Sequence, residues 1–249
     1  MKSAGREKID ILSGIGDISR ERGTCGLKLE HKLWERGFKV VAGTDEVGRG
    51  PLAGPVVAAC VVFPPSINDT RFEAERLSGV DDSKKLTSAK REEMFDLVTE
   101  NALEVGIGIV GEKDIDRINI LNASLTAMWK AIKELKNLPD FILVDGNHKI
   151  PNLPLPQMPV VKGDSLSLSI AAASIIAKVT RDRIMLEYHQ RYPEFCFAEN
   201  KGYGTKTHIQ ALKTFGPCEI HRKSFKIIQL CRSYQIDLDI ENRGLGLKT

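Results

Sequence analysis

Four carboxylates stand where a folded chain would bury them only for a purpose. Asp45 and Glu46 adjoin at the end of a β-prone run, Phe38-Lys39-Val40-Val41-Ala42, and Asp145 closes a second apolar run, Phe141-Ile142-Leu143-Val144. Asp182 falls in the apolar row of a long helical pattern, between Val179 and Leu186. Burying adjacent carboxylates is unfavourable unless cations neutralise them. Directly after the first pair come Gly48, Gly50 and Gly54, with Pro51 and Pro55. Glycine lets backbone approach a ligand closely and bares its N–H groups. An all-oxygen ligand set suits Mg2+ or Mn2+ better than zinc. Such ligands beside amides that can hold an anion point to phosphate chemistry. The spacing Gly43-x-x-x-x-Gly48 is no P-loop, because Arg49-Gly50 stand where Lys-Ser/Thr are required. Neighbours in a regular strand face opposite ways, so Asp45 and Glu46 share a site only where the strand breaks. Gly48 and Gly50 supply the expected break.

The elements that must position these acids alternate between strand and helix. Residues 56–63 have almost no polar face and read as a strand buried on both sides, pairing antiparallel with the Asp45 strand. A helix capped by Thr87 or Ser88 runs to about 101, a strand follows at 104–110, and Asp114 or Asp116 begins a helix to about 135. Residues 151–159 carry four prolines and read as an extended loop, with a short strand at 160–162. The long helix spans 165 to about 192, and its stripe of Leu168, Ala172, Ile175, Val179 and Leu186 puts Asp182 on the core-facing side. A glycine loop at 201–204 leads to a helix capped by Thr205 and ended by Gly216-Pro217. Residues 1–37 read as a peripheral extension with helices at 3–13 and 27–36. Residues 38–226 read as the domain that carries these acids and 227–249 as the tail, helical at most to Tyr234.

Charge and cysteine usage narrow the class. The net charge is only +3, so basicity must be local to matter. Residues 201–226 hold six Lys/Arg against the single acid Glu219, which suits a nucleic-acid backbone. Five cysteines without a CxxC argue against a disulfide framework and a zinc site and for a cytoplasmic protein. The uncharged run 165–177 is shorter than the roughly 18 apolar residues of a membrane span, and no secretory leader is read at the N-terminus. No membrane role is expected, and the default assembly is a monomer.

At this point a resemblance is specific. Gly43-x-Asp45-Glu46-x-Gly48-Arg49-Gly50-Pro51-Leu52-x-Gly54-Pro55 resembles the opening motif of type 2 ribonuclease H. Asp82-Ser83-Lys84-Lys85-Leu86, Val144-Asp145-Gly146-Asn147, Lys162-Gly163-Asp164 and the run from Ser169 to Arg181-Asp182 resemble its middle motifs. Lys201-Gly202-Tyr203-Gly204-Thr205 and His221-Arg222-x-Ser224-Phe225 resemble its closing ones. The match covers roughly residues 40–226 in order, and Gly-Arg-Gly resembles the bacterial type 2 form rather than the type 3 form. Leu166 departs, standing where a polar residue, often Lys, is common.

The resemblance implies a ribonuclease H-like α/β fold, a mixed sheet flanked by helices with a C-terminal helical segment. It implies an endonuclease for the RNA strand of RNA–DNA hybrids and for single ribonucleotides embedded in duplex DNA. Asp45, Glu46, Asp145 and Asp182 would hold two divalent cations about 4 Å apart and leave 3′-hydroxyl and 5′-phosphate ends. Substrate contacts are expected from Gly48, Arg49, Gly50, Lys84, Lys85, Tyr203, Arg222 and Ser224. Tyr203 offers a ring to stack on a sugar and a hydroxyl for the 2′-OH, the group that distinguishes RNA from DNA. Two other classes compete: a non-catalytic hybrid-binding module, and a metal-independent ribonuclease working through histidines and a cyclic phosphate. His31, His148, His189, His208 and His221 show no readable pairing. His148 lies near Asp145 but reads as a surface loop residue. Gln235-x-x-Leu238 lacks following aromatics, so no sliding-clamp motif is read.

Overall fold

The structure, a computed structural model, describes residues 25–69 and 87–231. Lys84, Lys85, the expected helix at 3–13 and the end of the tail lie outside them. Among the described residues β1 (Val41–Val47), β2 (Val56–Val62), β3 (Glu104–Val110), β4 (Phe141–Asp145) and β5 (Gln157–Val160) form a five-stranded sheet in the order β3-β2-β1-β4-β5. The helices are α1 (Lys28–Trp34), α2 (Ser88–Asn101), α3 (Glu112–Ile118), α4 (Ile120–Lys133), α5 (Leu168–Arg191), α6 (Phe197–Asn200) and α7 (Lys206–Phe215). β1 pairs parallel with β4, which pairs parallel with β5. Thr87 and Thr205 cap α2 and α7 through side-chain bonds to Lys90 and His208, as the cap residues foretold. Among the described residues no helix is long and apolar enough to cross a membrane.

Several boundaries differ from the sequence reading, each for a physical reason. The strand after the prolines is Gln157–Val160, not 160–162. Pro159 sits inside it because β5 is an edge strand, where a missing N–H is tolerated. The helix expected from Asp114 or Asp116 to about 135 is two helices, broken at Asn119 with φ 65°. The segment before β1 is not peripheral throughout. Leu29 and Leu33 of α1 are buried and cluster with Val41, Phe141, Leu143, Val160 and Ile170. Glu30 is buried too, and it accepts hydrogen bonds from Ser167 Oγ at 2.6 Å, Ser169 Oγ at 2.5 Å and Ser169 N at 3.0 Å. It thereby holds the start of α5. Leu166 packs against this same cluster, so apolar packing accounts for its departure from the family pattern.

The chain divides into two compact units. The first comprises residues 1–46, 58–108 and 125–179; the second comprises 47–57, 109–124 and 180–249. In the first, β1 meets α5 with no room to spare. A Cβ on Gly43 would lie 2.3 Å from the backbone N of Ile170 and 2.6 Å from Ser169 Oγ. Gly43→Ala is expected to cost about 3 kcal/mol, because backbone rather than a pliable side chain must move. Urea denaturation checks it: an unchanged midpoint would mean that α5 can recede freely. The second unit has its own core, in which Leu52, Met185, Phe195, Phe197, Leu212 and Ile220 cluster.

Candidate active site

In the first unit the acids gather at the ends of β1 and β4. Residues 41–45 of β1 are all buried, and Asp45 is only 6% exposed. Its Oδ1 accepts the Glu46 backbone N–H at 2.7 Å. Burial holds the Asp45 carboxyl well above the usual carboxylate range, and the charges of Asp145 and Glu46 push it further up. A bond to Ser174 of α5 works the other way. Asp145, half-buried, accepts the Gly163 N–H at 2.7 Å. Burial and then Asp164 raise it. A Cβ on Gly163 would come within 3.1 Å of Asp145 Oδ1, so a glycine is what lets that amide reach the carboxylate.

The strand does not break between Asp45 and Glu46. β1 continues to Val47, and the positive φ of 96° comes at Gly48. Asp45 is therefore buried and Glu46 half-exposed, as alternation requires. Among the described residues no three Asp, Glu, His or Cys side chains lie close enough together to hold a metal ion. Asp45, Glu46 and Asp145 are instead an electrostatic group, with Asp164 beside Asp145. Like charges keep such side chains apart. The donor set is all oxygen, and the Asp45 and Asp145 carboxyls both stand above their ordinary pKa. That suits a hard divalent cation.

Asp182 belongs to the second unit, half-exposed on α5. The buried face of α5 there carries Arg181 and Met185, while Leu186 is 45% exposed. The stripe drawn through Leu186 was therefore one residue out of phase.

The second unit also holds the Gly-Arg-Gly loop. Gly48 is buried, Arg49 and Gly50 are exposed, and Tyr203 is 43% exposed. A Cβ on Gly50 would lie 3.5 Å from Tyr203 Cε1, so the ring stands beside that backbone. Leu52 N bonds Gly202 O at 2.8 Å, Gly54 N bonds Ile220 O at 2.9 Å, and Arg222 N bonds Leu52 O at 2.9 Å. Gly202 needs its positive φ of 85°, and a Cβ there would strike Ala53 O at 2.5 Å.

Two residues expected to contact substrate have hydrogen-bond partners within the protein. Arg222 is fully buried, and its guanidinium donates to the carbonyls of Gly48, Arg49, Gly54 and Pro55. Ser224, though exposed, gives its N–H and hydroxyl to Asp116 Oδ1 at 2.8 and 2.6 Å. Within the basic stretch, Lys206, Lys213, Lys223 and Lys226 remain exposed. The Lys201 ammonium is turned onto Ala198 O, so the outward charge is smaller than the sequence count.

Sequence reading missed a histidine pair. His208 and His221 are buried, with Nε2 atoms 3.0 Å apart. Cys218 N donates to His221 Nδ1 at 2.9 Å, so His221 carries its proton on Nε2 and gives it to His208. Nδ1 of His208 then donates to the carbonyl of Tyr203 at 2.9 Å. Their separation of thirteen positions gave no periodic signal. Burial lowers the pKa of both, His221 to about 3, with His208 adding to its shift. The native protein thus refuses protons that the unfolded chain accepts below about 6.5. Stability is full above that value and falls as pH drops from 6.5 toward 3. His221 alone should remove about 2 kcal/mol between pH 6.5 and 5. Urea titrations at both values check this; an equal pH dependence in His221→Gln would contradict it.

Comparison with known proteins agrees with these motifs. The family model of Ribonuclease HII matches residues 42–228. The chain is 56% identical over 196 residues to the Ribonuclease HII of Caldanaerobacter subterraneus, covering 79% of this chain and 78% of that one. It is 52% identical over 204 residues to that of Geobacter metallireducens, covering 79% and 92%. Among solved structures, the ribonuclease H2 from Pyrococcus horikoshii OT3 superposes with a TM-score of 0.63 at 29% identity, covering 79% of this chain and 99% of that one. Bst-RNase HIII in complex with Mn2+ shares the fold, with a TM-score of 0.58 at 17% identity over 78% of this chain and 70% of that one.

Proposed function

The chain belongs to the ribonuclease HII family, and we propose that it cuts duplex DNA at single embedded ribonucleotides as well as the RNA strand of longer hybrids. It is an endonuclease of the ribonuclease H class. One observation carries the reading of its active site. Asp45 is a buried carboxyl whose pKa is driven up by burial and by Asp145 and Glu46, an arrangement that a cation would relieve.

Asp45, Glu46, Asp145 and Asp182 would hold two divalent cations, Mg2+ or Mn2+. Bound there, the ions would supply positive charge to the phosphodiester as it is cut. The Gly163 N–H orients the Asp145 carboxylate, and Ser174 and the Glu46 N–H orient that of Asp45. Gly48, Arg49 and Gly50 offer backbone groups to the ribose 2′-hydroxyl, and Tyr203 stacks on the neighbouring sugar. Lys84 and Lys85, with the exposed lysines of 206–226, favour the duplex backbone by charge. Protein partners and assembly beyond the monomer play no part in this reading.

End-group analysis of a duplex containing one ribonucleotide tests it. Cleavage beside the ribonucleotide in Mg2+, leaving 3′-hydroxyl and 5′-phosphate ends, is the expected outcome. A cyclic phosphate would shift the chemistry to histidines, and binding without cleavage would leave only a hybrid-binding module.

A further inference from the structure

Arg181 and Arg222 are both fully buried. Buried arginines ordinarily face carboxylates, yet these two spend their donors on neutral backbone. Arg222 reaches Gly48 O at 2.5 Å, Arg49 O at 3.0 Å, Gly54 O at 2.8 Å and Pro55 O at 3.3 Å. Arg181 reaches Pro55 O at 2.9 Å, Ala53 O at 3.1 Å and Lys201 O at 3.0 Å. Burial lowers the pKa of each guanidinium, and Arg181 lowers that of Arg222 further; Glu112, half-buried, offsets part of this for both. Holding two like charges side by side out of water is unfavourable, so the loop geometry they impose is maintained against a cost.

That geometry has a consequence for the amides. In a planar trans peptide the C=O and the following N–H point in opposite directions. With the carbonyls of Gly48 and Arg49 drawn inward onto Arg222, the N–H groups of Arg49 and Gly50 are turned away from it, and both residues are exposed. The geometry points to Arg222 as a positioning residue that presents the Arg49 and Gly50 amides as a fixed donor pair to the ribonucleotide, without itself touching nucleic acid. This rests on the reading that the Gly-Arg-Gly backbone meets the 2′-hydroxyl. Lysine at 222 would keep the charge, but a single nitrogen cannot span the four carbonyls.

The experiment compares wild type and Arg222→Lys, measuring affinity in EDTA for a duplex with one ribonucleotide and for the same all-DNA duplex across a salt series. Wild type should prefer the ribonucleotide. Arg222→Lys should lose that preference and about a hundredfold in cleavage rate, while all-DNA affinity and its salt slope stay unchanged. A slope smaller by about one would mean a phosphate contact and overturn the proposal. A retained preference with only a lower melting temperature would reduce Arg222 to a structural role and overturn it equally. No preference in wild type would instead sink the underlying reading of the loop. Amide hydrogen exchange on wild type covers a variant that fails to fold. Arg49 and Gly50 should gain protection with the ribonucleotide duplex and not with all-DNA; equal protection by both sinks the reading of the loop and the proposal that rests on it.

Discussion

Asp45→Asn should lose cleavage by on the order of a thousandfold, the equivalent of about 4 kcal/mol of charge stabilisation, and should melt at a higher temperature than wild type in EDTA. The two effects have one origin. Asp45 is 6% exposed, and burial, Asp145 and Glu46 all oppose its ionisation. Asparagine keeps the shape and removes the charge, a gain of about 1 to 2 kcal/mol at neutral pH. Because the native pKa is raised, the wild-type penalty is absent below the unfolded value of about 3.9 and grows as pH rises through the native one. The advantage of the variant should therefore vanish near pH 3.5. Excess Mg2+ should invert the order, since a ligand that binds only the native state stabilises wild type. Asp145→Asn should lose a similar factor in activity with a smaller gain in stability, being half-buried and held by the Gly163 N–H. Melting curves with and without Mg2+, beside single-turnover cleavage, check the set. A lower melting temperature for Asp45→Asn in EDTA would mean that the carboxylate is a structural acceptor first.

What the sequence made legible was whatever local pattern determines. Apolar runs gave β2 and β4, the caps gave α2 and α7, and the acids at strand ends gave the carboxylates that act on one another in the first unit. The rest depended on partners distant in the chain. Arg181 sits on the buried face of α5 because carbonyls of residues 53, 55 and 201 receive it, and no helical period reports that. Arg222 read as a ligand contact because a cation in a basic stretch usually faces solvent; only the fold shows four carbonyls around it. Glu30 read as part of a peripheral segment, yet Ser167 and Ser169, over 130 residues away, bury it. Asp164 was quoted in a motif and passed over as an acid, though it raises the pKa of Asp145.

The glycines of the Gly-Arg-Gly loop separate folding from recognition, so their alanine variants should behave oppositely. Gly48 has φ 96°, and a Cβ there would lie 2.4 Å from Arg181 Nε and 2.8 Å from Pro55 O. Left-handed strain and a collision inside a buried arginine cradle should make Gly48→Ala unstable by about 3 kcal/mol or more, with activity on every substrate falling alike. Gly50 meets nothing closer than Tyr203 Cε1, 3.5 Å from its would-be Cβ, which is ordinary contact. Gly50→Ala should therefore fold with a normal melting temperature. On the proposed reading, its methyl group would stand where a sugar approaches the backbone. Cleavage at a single ribonucleotide should fall by about a hundredfold, as when one well-placed donor is lost, while binding to all-DNA duplex is kept. Thermal melts and paired kinetics on the two substrates decide it. If Gly50→Ala cleaves at the wild-type rate, the backbone at residue 50 meets no substrate, and discrimination between ribose and deoxyribose must be sought at the Gly48–Arg49 backbone and Tyr203.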